Sequence, residues 1–152
     1  MGSEQFGIGN IWASIKEAGY WKPVPFKATN FNAGASTWNI VASDVLVNRY
    51  TRIGNTIIWT INIGDASALS GASVSFVNLA LPVKCLGGTY TAIALGRVFN
   101  PSGGVVAAVN TIGQNLVAYS PAHARVSLVP SAQIVAGLLS MNFTLTYELS
   151  VS

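Results

Sequence analysis

Charge is what this chain most lacks. Eight basic and five acidic residues are spread over 152 positions, so charged side chains make up 9% of the sequence against about 25% in an ordinary soluble protein. Disorder is excluded, because disordered chains are charge-rich and apolar-poor. The formal net charge of +3 reflects a shortage of acids rather than a basic patch. Lys16, Lys22, Lys27, Arg49, Arg52, Lys84, Arg97 and Arg125 are scattered, and the closest pair is Arg49 and Arg52. Tracking a nucleic-acid backbone needs several clustered phosphate contacts, so no nucleic-acid partner is expected.

Titratable chemistry is equally thin. Cys85 is the single cysteine, which excludes an intramolecular disulfide and a thiolate metal cluster. Set before Leu86-Gly87-Gly88 in a turn context, it reads as an inert structural residue rather than a nucleophile. His123 is the only histidine, and Glu4, Glu17, Asp44, Asp65 and Glu148 are the only acids. A serine triad would need His123, one of these acids and a serine in a nucleophile elbow, and no Gly-x-Ser-x-Gly occurs. Of the carboxylates, only Asp44 and Asp65 form a mid-chain pair of the kind a glycosidase requires. The expectation is a non-enzymatic protein with no cofactor and no metal site; His123 reads as a loop residue.

Signals for membranes and targeting are missing too. Met1 to Gly19 has no basic start followed by an apolar run, so no signal peptide is expected. Val126 to Tyr147 carries no charge over 22 residues. Pro130, Ser131, Gln133 and Asn142 interrupt it, however, and a bilayer helix needs about 20 mostly apolar residues in succession. No membrane insertion is expected.

What remains is an apolar, amide- and hydroxyl-rich chain. Hydrophobic residues account for 51%, and Ser, Thr, Asn and Gln contribute 40 residues. Met141, Phe143, Leu145, Tyr147, Leu149 and Val151 alternate with Asn142, Thr144, Thr146, Glu148 and Ser150, the period-two signature of a half-buried strand. Val45, Val47 and Arg49 share a parity, and the run to Ile53 meets Gly54-Asn55 before the β-prone Thr56 to Ile63. That order reads as a hairpin, because glycine and asparagine accept the positive φ of a tight turn.

Further strands are expected over Tyr20 to Lys27, Thr37 to Val41, Val74 to Leu81, Thr89 to Phe99, Val105 to Val109, Leu116 to Tyr119 and Arg125 to Val129. Pro82 ends one of them, and Asn100-Pro101-Ser102-Gly103-Gly104 separates two. Pro130 to Leu139 is open between a loop and a helical turn. Nine or ten strands with regular turn signals predict an all-β fold, an antiparallel, jelly-roll-like β-sandwich. One short helix is expected over Asn10 to Ala18, so residues 1–19 read as a linker and 20–152 as the sandwich domain.

Three strands are apolar on both parities: Thr56 to Ile61, Thr91 to Leu95 and Gly104 to Val109. A strand greasy on both sides needs cover on both, and large apolar patches are unusual on soluble monomers. A tight homo-oligomer is the expected answer; central strands roofed by loops are the alternative.

The stretch Asn48-Arg49-Tyr50-Thr51-Arg52-Ile53-Gly54-Asn55-Thr56-Ile57-Ile58-Trp59 resembles a segment of the distal β-sandwich domains of phage tail fibres and receptor-binding proteins. There a Tyr-x-Arg-x-Gly turn precedes an alternating strand. A Trp-x-Pro upstream, here Trp21-Lys22-Pro23, and a strand ending in Leu-Pro, here Leu81-Pro82, complete the likeness, which spans Trp21 to Pro82. The resemblance implies a homotrimer at a fibre tip, on a virion or an extracellular fibre, binding a cell-surface receptor or glycan. Similar trimeric tips occur on bacterial adhesive fibres. Within the motif Gly54 serves the turn, Tyr50 and Trp59 pack, and Arg52 has a structural role.

Antiparallel strands send alternate loops to opposite ends. With the N-terminus at the stalk, the far end collects Asn30 to Ala35, Gly54-Asn55, Lys84 to Gly88, Asn110 to Asn115 and Pro130 to Gly137. Amides suit sugar hydroxyls because they donate and accept, which makes Asn32, Lys84, Asn110, Gln114 and Gln133 the candidate ligand-binding residues. Two rival readings stay open: a capsid decoration or cementing protein, and a free lectin-like module.

Overall fold

The structure, a computed structural model, describes residues 20–64, 67–71, 76–85, 92–100, 105–108, 116–127 and 137–149. These residues form antiparallel sheets with two 3-10 turns and no α-helix. The chain is therefore all-β, as its alternation predicts. The strands are β1 (Lys22–Pro23), β2 (Phe31–Asn32), β3 (Thr37–Asn39), β4 (Val45–Ile53), β5 (Thr56–Ile63), β6 (Ala68–Ser70) and β7 (Phe76–Ala80). They continue with β8 (Ala92–Asn100), β9 (Val105–Ala108), β10 (Leu116–Ser120), β11 (His123–Ser127), β12 (Gly137–Leu138) and β13 (Ser140–Glu148).

Each of the ten expected strand regions contains a strand. The run from Tyr20 to Lys27 keeps only Lys22 and Pro23 in a ladder, and β2, β6 and β12 are additions. These additions are two or three residues long, too short to show a period of two. The expected helix over residues 10–18 lies outside the described residues. No helix among the described residues is long and apolar enough to cross a membrane.

Three sheets result. The largest runs β1-β4-β5-β13-β8-β9, the second β10-β11-β7-β2 and the smallest β12-β6-β3. In β5 and β13 alternation becomes burial: Ile57, Trp59, Ile61, Ile63, Met141, Phe143, Leu145 and Tyr147 are buried, and their neighbours are half-buried or exposed. Phe31, Val77, Leu79, Ala124 and Val126 from the second sheet, and Trp38 and Leu69 from the third, join the same hydrophobic cluster. One core thus serves all three sheets, with Phe143 packed edge-on against Trp59 at 5.5 Å between ring centres.

The β4–β5 hairpin turns where the sequence says. Ile53 pairs with Thr56, and Gly54 alone takes positive φ, at 59°. A glycine at the first central position is the order of a type II′ turn. The Arg52 Nε donates to the Gly54 carbonyl at 2.7 Å, so Arg52 clasps the turn from one side.

The shared parity of Val45, Val47 and Arg49 is corrected. Val45 pairs with Ile63 but Val47 with Asn62, a bulge that makes Leu46 the extra residue and leaves it 63% exposed. Beyond the bulge Asn48 and Tyr50, not Val47 and Arg49, stand opposite the buried Ile61 and Trp59. Asn48 then accepts the Trp59 indole N–H at 2.8 Å, which satisfies a donor that burial would otherwise strand.

The second parity of β5 is less greasy than its sequence run implies. Thr56, Ile58, Thr60 and Asn62 are half-buried, and Thr60 shares a hydrogen bond with its cross-strand partner Thr144 at 2.9 Å. In the other two doubly apolar runs, side chains lie outside what the structure describes.

Candidate functional site

A cleft of about 430 Å³ opens beside one end of the second sheet, lined by Val24, Pro25, Lys27, Asn30, Ala80, Leu81, Pro82, Lys84, Ala122 and His123. Three pieces of chain build it, each oriented by a local cause. In the 24–27 piece Phe26 stacks on buried Phe31 at 5.8 Å and packs against the core. Alternation then leaves Pro25 and Lys27 exposed on the opposite side. The Val24 N–H donates to the Asn48 carbonyl at 2.9 Å, tying this piece to β4. A 3-10 turn at Ala28–Asn30, closed by the Asn30 N–H on the Lys27 carbonyl at 2.9 Å, carries the chain into β2.

The second piece, 80–84, continues from the end of β7 at Ala80 through Pro82. Its backbone is fixed from two directions. The Leu81 N–H donates to the Ala122 carbonyl at 2.9 Å and the Cys85 N–H to the Pro121 carbonyl at 2.8 Å. From the large sheet the Tyr147 hydroxyl donates to the Val83 carbonyl at 2.8 Å. Burial drives the Tyr147 phenol well above its ordinary pKa, opposed by the Val83 backbone N–H, which donates to the phenol oxygen. Burial also raises the Cys85 thiol, opposed by a backbone hydrogen bond at Cys85.

The third piece is the β10–β11 turn. The Ser120 hydroxyl accepts the Ala122 N–H at 3.4 Å and lies 3.3 Å from His123 Nδ1. His123 pairs with Ala80 across the ladder and is exposed.

The cleft is cationic. Among the described residues two lysines line it, beside one histidine, and no Asp or Glu does. Of the five acids, Asp44 is buried, where its carboxylate accepts the Val41 N–H at 2.9 Å; this is a turn-closing role. Glu148 is exposed at the end of β13, and Asp65, the other half of the carboxylate pair, lies outside the described residues. Among the described residues no three His, Cys, Asp or Glu side chains cluster in a way that could hold a metal ion.

Beside the cleft the second sheet bears a polar row. Arg125 pairs with Asn78 and Asn78 with Asn32. The Arg125 Nε donates to Asn78 Oδ1 at 3.0 Å, and its guanidinium lies 3.8 Å from the Phe76 ring centre.

Of the candidate binding residues, Lys84 lines the cleft. Asn32 does not: it sits in the polar row, and its Oδ1 accepts the Gly34 N–H at 2.7 Å. Asn110, Gln114 and Gln133 lie outside the described residues. Grouping loops by alternating ends is corrected in part. Asn30 joins Lys84, but the turn after Asn32 heads for Phe76, where Gly34 sits, at the far end of β7. The Pro121–Ala122 turn, which the count assigns to the other end, closes on Leu81 and Cys85 instead.

Lys27, Asn30 and His123 are functional candidates that sequence reasoning passed over. The alternation of Val24 and Phe26 against Pro25 and Lys27 was the available signal for Lys27. For His123 there was none, since its place depends on β11 pairing with β7. Comparison with protein-family models, with curated proteins and with solved structures finds no match.

Proposed function

We propose that this chain is a non-enzymatic binding module of the fibre-tip kind, a homotrimeric, jelly-roll-like sandwich that attaches its particle or fibre to a host cell-surface glycan, with the cleft as its ligand seat. The cleft carries the reading. Apolar walls with a few convergent polar groups are what saccharide and small-ligand sites require, and 430 Å³ lies within the usual range of roughly 300–1,000 Å³. Its frame is braced by backbone hydrogen bonds and by Tyr147, so little ordering entropy is lost on binding.

Trimer formation rests on the fibre-tip resemblance of Asn48 to Trp59 and on exposed apolar side chains. Val41, Leu46 and Ile53 are each more than half exposed and give copies of the chain something to cover.

The test pairs a glycan array with light scattering. The wild-type chain is expected to be a trimer and to bind a discrete set of glycans. Ala122→Trp, which places an indole in the cleft, is expected to keep the mass and lose the binding. A monomeric mass refutes the fibre-tip assembly. An array without hits, or one unchanged by Ala122→Trp, refutes the ligand seat.

A further inference from the structure

We infer that the ligand of this cleft is an acidic saccharide, a sugar bearing a carboxylate, with Lys27 and Lys84 as its charge-recognising residues; this rests on the cleft being the ligand seat. Among the described residues of the lining Lys27 and Lys84 are the lysines, they come from separate pieces of chain, and no Asp or Glu accompanies them. Two ammonium groups sharing a concave, partly apolar site repel one another, and a bound anion relieves that repulsion. Pro25, Leu81, Pro82 and Ala122 supply low-polarity walls, where a charge–charge contact is screened less than on open surface.

The remaining polar groups fit a sugar better than a bare anion. The Asn30 amide can donate to one hydroxyl while accepting from another, and the His123 imidazole offers a ring nitrogen beside the one near Ser120. Nucleic acid is a poorer match. Among the described residues no aromatic side chain lines the cleft, so they offer bases no stacking platform. The described lining also offers two lysines, fewer than the several phosphate contacts that backbone binding uses.

Calorimetric titration of the intact chain with 3′-sialyllactose and lactose, and with digalacturonate and galactobiose, tests the inference at low and high salt. At least one acidic sugar is expected to bind about tenfold or more tighter than its neutral counterpart, about 1.4 kcal/mol, and to weaken with salt. The double variant Lys27→Gln, Lys84→Gln should lose this preference and its salt dependence. Both lysines are exposed, and an unchanged melting temperature would verify the fold of the variant. Equal affinity for acidic and neutral sugars, or a preference that survives the double variant, overturns the inference. If Ala122→Trp still abolishes binding in that case, the cleft stands as a neutral-glycan site. If the wild-type chain binds no saccharide in the titration or on the array, both readings fall.

Discussion

The hydroxyl of Tyr147 is bonded to both backbone polar groups of Val83, donating to the carbonyl at 2.8 Å and accepting the N–H at 3.4 Å. Tyr147 belongs to β13 in the large sheet, and Val83 follows β7 of the second, 64 residues earlier. Pro82 and Lys84, on either side of Val83, both line the cleft. One phenol therefore joins the core of the large sheet to a wall of the candidate site.

Tyr147→Phe should keep the ring packing and lose these bonds. The expected cost is about 1 kcal/mol in urea unfolding, the scale for losing a part-buried hydrogen bond. Ligand affinity should fall several-fold as the wall loosens. The phenol pKa is raised in the folded state, so folding favours the protonated form. Its contribution is full below about pH 10, the unfolded value, and declines as pH rises beyond that, because the unfolded chain then releases a proton the native state keeps. Melting curves between neutral and strongly alkaline pH should fall less steeply in Tyr147→Phe than in the wild type.

Two glycines should respond differently to alanine. Gly54 has positive φ but open space around a would-be Cβ, so Gly54→Ala pays only for backbone conformation, about 1–2 kcal/mol. Gly96 pairs with Phe143 across the β8–β13 ladder, and a Cβ there would overlap the Asn142 carbonyl and the Phe143 backbone. Gly96→Ala should cost at least about 3 kcal/mol or prevent folding. Denaturant midpoints of the two variants test the order, and equal midpoints would refute it.

Thr51 on β4 is 4% exposed, and among the described residues its hydroxyl has no hydrogen-bond partner. Thr51→Val has nearly the same shape and removes the stranded polar atom. It should be neutral or stabilising by up to about 1 kcal/mol, read as an equal or higher melting temperature.

Cys85 is buried, and burial raises its thiol pKa. Thiolate is the reactive form, so reaction with an aromatic disulfide reagent should be slow in the native chain and fast in denaturant. Rapid labelling of the native protein at neutral pH would show that the backbone bond from Cys85 to Pro121 opens readily.

Parts of this architecture were legible residue by residue. The alternation from Met141 to Leu149 became a strand with one face in the core because side chains of an extended chain point alternately to two sides. Gly54-Asn55 became a tight turn because glycine alone adopts positive φ without strain. The bulge at Leu46 was not legible. It is a property of the β4–β5 register, and local sequence shows only one strand at a time.

The amino-acid order by itself determined the all-β class, the main strands, the hairpin and the poverty of titratable groups, since these follow from local backbone preference and composition. Only the tertiary structure decided which residues meet in the cleft. Lys27, Lys84 and His123 are separated by long stretches of chain. They converge because β7 pairs with both β2 and β11, and because Tyr147 and the turn at Pro121 fix the chain between them. Such pairings depend on how distant apolar faces share one core, a quantity no local window contains.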